Sequence, residues 1–162
     1  MAQSEDGSSA TLIEITLDEQ SIGRNTPDVE QERELAILDL VESNYFELAD
    51  DQSGPYTLQL SVVENRLVFN ISDKQRQPIT AIGLALSPFR RIVKDYFLIC
   101  DSYFEAIKTA PPSRIEAIDI GRRSLHNEGS RLLQERLKGK IKLDFDTSRR
   151  LFTLICALHW KG

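Results

Sequence analysis

The sequence predicts an α+β domain in which a small, mostly antiparallel sheet packs against about four helices. Three observations lead there. From Tyr56 to Leu86 apolar residues largely alternate with polar ones, the period of half-buried strands. From Phe89 to Ile107 they recur every three or four residues, the stripe of an amphipathic helix. Elsewhere, Thr26-Pro27, Ser87-Pro88 and Ser113 with Glu116 mark helix starts. The chain has 162 residues, 41% hydrophobic and 28% charged. A single domain of that size buries roughly 70% of its unfolded surface, so it needs no disulfide or structural metal.

Residues 1–10 are polar and read as a disordered tail, leaving 11–162 as one domain. Thr11–Leu17 alternates as a short edge strand, and Asp18–Asn25 reads as a loop. Thr26 then offers an N-cap oxygen, Pro27 suits the first helical position, and Asp28, Glu30 and Glu32 complement the helix dipole. The helix runs to about Ser43, with Val29, Leu35, Ile37, Leu38, Leu40 and Val41 as its packed face and Glu30 and Glu34 turned away.

Leu58, Leu60 and Val62, a Glu64-Asn65 turn, and Leu67, Phe69 and Ile71 make a hairpin. A polar turn over Asp73–Gln77 leads to a third strand, Ile79–Leu86, in which Gly83 suggests a bulge or a close backbone approach. Ser87 and Pro88 open the second helix, whose stripe is Phe89, Ile92, Val93, Tyr96, Phe97, Cys100, Tyr103, Phe104 and Ile107. Pro111 and Pro112 end it. The Ser113/Glu116 capping box opens a third helix that reaches about Leu137 and stops at Gly139. Ile141, Leu143 and Phe145 form a short strand, and Asp146 caps a last helix running through Leu151, Phe152, Leu154, Ile155, Leu158 and His159.

Several classes of chemistry have no signature. Phosphate-loop, nucleophile-elbow, zincin and dinucleotide motifs are missing, and no cofactor is expected. Cys100 and Cys156, each among apolar residues, read as small core hydrophobes, and close Cys or His pairs for zinc are lacking, so no metal is expected. The start, MAQSEDGSSA, lacks the features of a secretory or transit leader, and the longest nearly apolar run, Leu151–Trp160, is half of what a membrane span requires. These features point to a cytoplasmic, non-membrane protein.

Charge is unevenly distributed. Residues 1–54 carry 14 acids and 2 bases, and the remainder carries 11 acids and 18 bases. Either the acidic segment packs near the basic one, or a basic face awaits an anionic partner. The arginine candidates form two groups. Arg90 and Arg91 fall in the first turn after Ser87, where their sign opposes the dipole unless an anion binds, although Asp95 stands one turn beyond Arg91 as a partner. Arg149 and Arg150 follow Asp146 in the same way.

The stretch GRRSLHNEG places Arg122, Arg123, His126 and Glu128 on the third helix, with Asp119 one turn before Arg123. One reading is a general base, His126, with Arg122 as an anion clamp. The other is a buried polar network that locks this helix to its neighbours, with Gly121 and Gly129 permitting close approach. His159 suits a helix C-terminus, and the aromatic stripe belongs to the core rather than to a base-stacking surface.

Taken together and in order, the blocks SIGRNTPDVEQERELAI, SPFRRIVKDYF, PSRIEAIDIGRRSLHNEG and DFDTSRRLFTLICALHW resemble uncharacterised protein family two-six-two of alphaproteobacteria. The resemblance covers nearly all of Ser21–Gly162 and is weaker from Glu47 to Leu86. It implies a bacterial, cytoplasmic protein and carries no catalytic residue onto these positions.

The leading expectation is a noncatalytic binding or regulatory domain with an arginine-bearing face for an anionic small ligand or an acidic protein partner. Ser87, Arg90, Arg91, Arg122, Arg123 and Arg149 are its candidate ligand residues. The alternatives are a small enzyme using His126 and Arg122, which requires the imidazole to open into a pocket, and a nucleic-acid module, which requires an exposed basic stripe. A homodimer is compatible with all three.

Overall fold

The structure, a computed structural model, describes residues 9–158; residues 1–8 of the expected tail, and His159 and Trp160, lie outside the described residues. Ala10 is buried, and its carbonyl accepts the Phe46 N–H. The fold is α+β in a single domain, built in the order β1 (Leu12–Leu17), α1 (Glu19–Ile22), α2 (Pro27–Glu42), β2 (Phe46–Leu48), β3 (Tyr56–Val63), β4 (Arg66–Asp73) and β5 (Pro78–Ala85). A 3-10 turn over Ser87–Phe89 leads into α3 (Arg90–Thr109), followed by α4 (Pro112–Leu137), β6 (Ile141–Leu143) and α5 (Phe145–Ala157).

Four strands form one sheet in the order β1-β3-β4-β5. The meander β3-β4-β5 is antiparallel as expected, and its first turn is the two-residue Glu64-Asn65, both residues with positive φ, 51° and 62°. That is the turn whose twist matches a hairpin's strands. β1 forms the edge but runs parallel to β3. A parallel neighbour needs a long crossover, and the segment holding α2 supplies it. The irregularity on β5 falls at Ile79, between the partners of Ile71 and Ser72, and Gly83 is neither bulged nor tightly approached. β2, unsignalled in the sequence, pairs with β6 in a separate two-stranded ribbon. Its three residues are too few to show a period.

Leu58, Leu60, Leu67, Phe69 and Ile71 bury one sheet face against the helices. α5 occupies the centre and is buried on most sides, with Leu151, Phe152, Leu154, Ile155 and Cys156 all in the core. α2 and α4 flank it, and α3 packs on α4. Thr26 caps α2 as expected, its hydroxyl accepting the Val29 N–H at 3.3 Å. Two other cap assignments need correction. Pro111, not Ser113, is the N-cap of α4, because the helix starts at Pro112, two residues earlier than a Ser113 cap implies. On α5, Asp144 rather than Asp146 accepts the Thr147 N–H, at 2.9 Å. Asp146 sits in the first turn, where its charge still suits the dipole.

Two apolar faces are narrower than the sequence pattern suggests. On α2, Leu35 and Leu38 are 57% and 60% exposed, while Arg33 is buried with Val29, Ala36 and Leu40. On α3, Val93 and Ala106 are buried, whereas Phe104 is 60% exposed and Ile107 half exposed. Ala106 lies two residues beyond Phe104, so the stripe is covered along one line and left open beside it. The acidic first third does pack against the basic remainder at Asp39–Arg150 (3.7 Å) and Glu14–Arg76 (2.8 Å).

Candidate functional site

Helical spacing first brings arginines into register: on α4, Arg122 and His126 are one turn apart, and on α5 Arg149 and Thr153 are one turn apart. The packing of α4 on α5 then brings the two pairs together. Gly129 makes this possible, because a Cβ at that position would overlap the Phe152 ring. Gly121 similarly admits Ile99 of α3, whose Cδ1 would lie 2.9 Å from an added Cβ. Below the arginines the seam is closed by hydroxyls: Ser148 donates to the Ser130 carbonyl at 2.6 Å, and Ser130 donates to the His126 carbonyl at 2.7 Å.

Above that closed seam lies a cavity of about 350 Å³. Arg122, Arg123, Arg149 and Arg150 line it together with Asp39 of α2, Tyr96 of α3, and His126, Asp146 and Thr153. Four guanidinium groups thus face two carboxylates. Asp119, just outside, pairs with both Arg122 and Arg123 (3.1 Å to the latter), and the Arg122 hydrogen bond is the main cause of its carboxyl being held below the usual range. Arg122 also lies over the Tyr103 ring, 4.7 Å from its centre. Arg150 reaches Asp39 and the Ser43 carbonyl. Arg149 is different: its Nε donates to the neutral Asn127 Oδ1 at 3.0 Å, and it has no ion pair among the described residues. Among the described residues its terminal nitrogens have no hydrogen-bond partner, leaving the fork that binds carboxylate or phosphate through two hydrogen bonds.

His126 forms the floor and is only 7% exposed. Its ring lies edge-on to Tyr96 and Phe152, with centroid distances of 5.4 and 5.2 Å. Nε2 is 2.7 Å from Thr153 Oγ1, and the Thr153 hydroxyl itself donates to the Arg149 carbonyl at 3.1 Å. The hydroxyl proton is therefore committed, and the imidazole N–H donates in the first bond. Burial, then the Arg149 and Arg122 charges, pushes the His126 pKa down to about 4. At neutral pH the ring is uncharged, its Nε2 is occupied, and it is a weak base. Burial likewise raises the Tyr96 phenol and the Cys100 and Cys156 thiols, so none supplies a ready nucleophile. Among the described residues no cluster of His, Cys, Asp or Glu could hold a metal, and no helix is long and apolar enough to cross a membrane.

Residues 9–161 match the Uncharacterised protein family (UPF0262). The chain belongs to that family. A UPF0262 protein of Rhodopseudomonas palustris (strain BisA53) is 59% identical over 157 residues, 97% of this chain and 96% of the relative. Another, from Bradyrhizobium sp. (strain BTAi1), is 63% identical over 153 residues, 93% of this chain and 90% of the relative. No solved structure matches. This UPF0262 chain is therefore bacterial, from a family of unknown function.

Of the residues singled out in the UPF0262 sequence, Arg122, Arg123, His126 and Arg149 converge on this cavity, and Ser87, Arg90 and Arg91 do not line it. Arg91 lies about 18 Å along α3 from Tyr103, the ring beneath Arg122. Ser87 accepts a hydrogen bond from the Asn65 amide (3.1 Å), and Arg91 pairs with Asp95 as its spacing implies (3.8 Å). Thr153 and Asp39 escaped the sequence reading. Thr153 was visible as the residue one turn beyond Arg149, but Asp39 comes from a distant helix and gives no local signal. A wider groove of about 730 Å³ beside the β2–β6 ribbon is rimmed by Arg131, Lys138, Lys140 and Lys142, which are exposed side chains with less convergence.

Proposed function

We propose that the chain is a noncatalytic, cytoplasmic binding or regulatory domain that takes a small anionic ligand, a phosphate or carboxylate compound, in the cavity between α4 and α5. One observation carries this reading: the Arg149 fork, without an ion pair among the described residues, opens beside three further arginines. The volume of about 350 Å³ suits a compact metabolite better than a macromolecular surface. Arg149 binds the oxyanion through its free nitrogens, while Arg122 and Arg123, steadied by Asp119, add positive potential. Asp39 and Asp146 on the wall favour a ligand that also offers hydroxyl or amino groups. The weak basicity of His126 favours binding over acid–base chemistry. The free Cys100 and Cys156 thiols suit a reducing compartment.

The test is thermal unfolding in inorganic phosphate, pyrophosphate and citrate against chloride at matched ionic strength. Native-state binding raises the melting temperature by several degrees in at least one anion, and Arg149→Ala abolishes the rise while leaving the ligand-free melting temperature nearly unchanged. Equal melting in all anions, or a rise that survives Arg149→Ala, overturns the reading.

A further inference from the structure

The four-stranded sheet ends differently on its two sides. At the β1 edge the Asn44 amide closes the strand: its Oδ1 accepts the Leu12 N–H at 2.8 Å, and its Nδ2 donates to the Leu12 carbonyl at 3.1 Å. Along the β5 edge no described helix or strand runs. The Leu86 N–H donates to the Asn65 carbonyl at 3.2 Å, and antiparallel ladder bonds alternate, so Leu84, Ile82 and Thr80 turn their backbone groups toward β4. Ala81, Gly83 and Ala85 therefore turn theirs outward. All three are exposed, and their N–H and C=O groups have no hydrogen-bond partner among the described residues. Sheets blunt such an edge with charge, proline or a bulge. Here Pro78 and the irregularity at Ile79 blunt only the start, and Thr80–Leu86 carries neither a charge nor a proline.

The edge matches its own reversal. Ala81-Ile82-Gly83-Leu84-Ala85 runs small, branched, Gly, branched, small in both directions. If a second β5 lies antiparallel beside it with the two-fold axis at Gly83, Gly83 faces Gly83, and Ala81 of each copy faces Ala85 of the other. Every one of these residues turns its backbone outward, so each pair exchanges both of its N–H···O=C bonds. Further out Thr80 meets Leu86 and Ile79 meets Ser87, so no charge enters the register. On the helix side Ile82 falls beside Leu84 of the second copy, where a cavity of about 330 Å³ under Ile79, Thr80 and Ile82 leaves space. We propose that the chain forms a two-fold homodimer in which β5 pairs antiparallel with β5 of a second copy, joining the two four-stranded sheets into one. The occupant is a second copy because this register satisfies the same three residues on both sides with nothing larger than a methyl group on the open face of the strands. The β1 edge, closed by Asn44, does not repeat the contact, so growth stops at two.

Arg66 sets the cost. Its side chain leans over Gly83, with Cδ 3.7 Å from where a Cβ would stand, so the axis draws two guanidinium groups toward each other. Both are exposed and screened by salt, and the net charge of -5 on each copy opposes association in the same way. The dimer therefore tightens as ionic strength rises.

Sedimentation equilibrium of the full chain from about 10 to about 500 µM, in about 0.05 and about 0.5 M NaCl, reads both effects. The wild-type chain dimerises reversibly, several-fold more tightly at the higher salt. Gly83→Pro removes an outward N–H while leaving the β4 ladder whole; it is monomeric throughout with unchanged circular dichroism, and Ala81→Pro is a second variant of the same kind. Gly83→Ala keeps the N–H, meets Arg66 at ordinary contact distance and still dimerises. Without any substitution, amide exchange at Ala81, Gly83 and Ala85 slows several-fold between the dilute and the concentrated wild-type chain. A wild-type chain that stays monomeric, a dimer that survives both proline variants, or exchange at these three amides that ignores concentration overturns the proposal. No β5 residue lines the arginine cavity, so failure here leaves the anion-binding reading standing.

Discussion

Arg33 on α2 and Arg149 on α5 are arginines whose surroundings treat them differently. Arg33 is 4% exposed. Its Nε donates to the Ala157 carbonyl (3.0 Å), Nη2 to Leu158 (2.9 Å) and Nη1 to Gly23 (2.8 Å), with Glu30 at 3.2 Å. It places a cation at the C-terminal end of α5, where the helix dipole favours one, and ties that end to α2 and the loop before it. Arg149 uses Nε on Asn127 and leaves its fork beside a cavity. An arginine whose donors are answered by backbone carbonyls is part of the architecture. One whose fork has no partner among the described residues, beside other cations, retains capacity for a ligand, and Arg149 is only half-buried where Arg33 is buried.

The sharpest way to break this contrast is Arg33→Ala. It leaves three carbonyls without their donor and removes a buried, paired cation, a loss of about 3–4 kcal/mol in urea unfolding. Arg33→Lys recovers only part of it, because an ammonium cannot span the same fork. A cost below about 1 kcal/mol would make Arg33 no more structural than Arg149.

Next is the floor beneath the open site. Gly129→Ala drives a methyl group into the Phe152 ring and costs about 2 kcal/mol, read by the same unfolding experiment. The floor also titrates. His126 has a folded pKa of about 4 against about 6.5 in the unfolded chain, so the unfolded state binds more protons between those values. Stability is therefore complete above about pH 6.5 and falls as pH drops toward 4, by on the order of 2 kcal/mol after screening on the cavity side. Urea unfolding at pH 7 and pH 4 measures the fall, and His126→Gln flattens its share. A profile unaltered by that substitution would place the acid sensitivity elsewhere.

The smallest expected change in stability is at Arg149. Arg149→Ala shifts unfolding by less than about 0.5 kcal/mol, since it breaks one half-exposed hydrogen bond. On the proposed reading its effect falls on anion binding instead, read by the melting rise in phosphate, pyrophosphate or citrate. A loss comparable to that of Arg33→Ala would show that Arg149 is structural too.

Local sequence made much of this legible. The Glu64-Asn65 turn, the Thr26-Pro27 helix start, the Gly139 stop and the long stripe of α3 rest on backbone preferences and periodicities that act within a few residues. Gly129 was singled out as a place of close approach, and it is one. Arg122, Arg123, His126 and Arg149 were picked out as polar residues on helices, yet nothing along the chain said that α4 and α5 face each other through them. Arg33 went unnoticed because an arginine among glutamates reads as solvated, and two of its three carbonyl acceptors lie 124 and 125 positions away. Leu35 and Leu38 misled for the complementary reason: an apolar residue on a helix is buried only if something covers it.

The sequence by itself determined the class of fold, most element boundaries and the chemical character of each helix, because hydrogen bonding, capping and side-chain period are local. Tertiary structure decided the parallel placement of β1, the β2–β6 ribbon, which arginine is sealed and which is open, and which apolar residues of α3 are covered. Those outcomes depend on distances between residues far apart in the chain, set by how the helices pack around α5, and no local pattern encodes them.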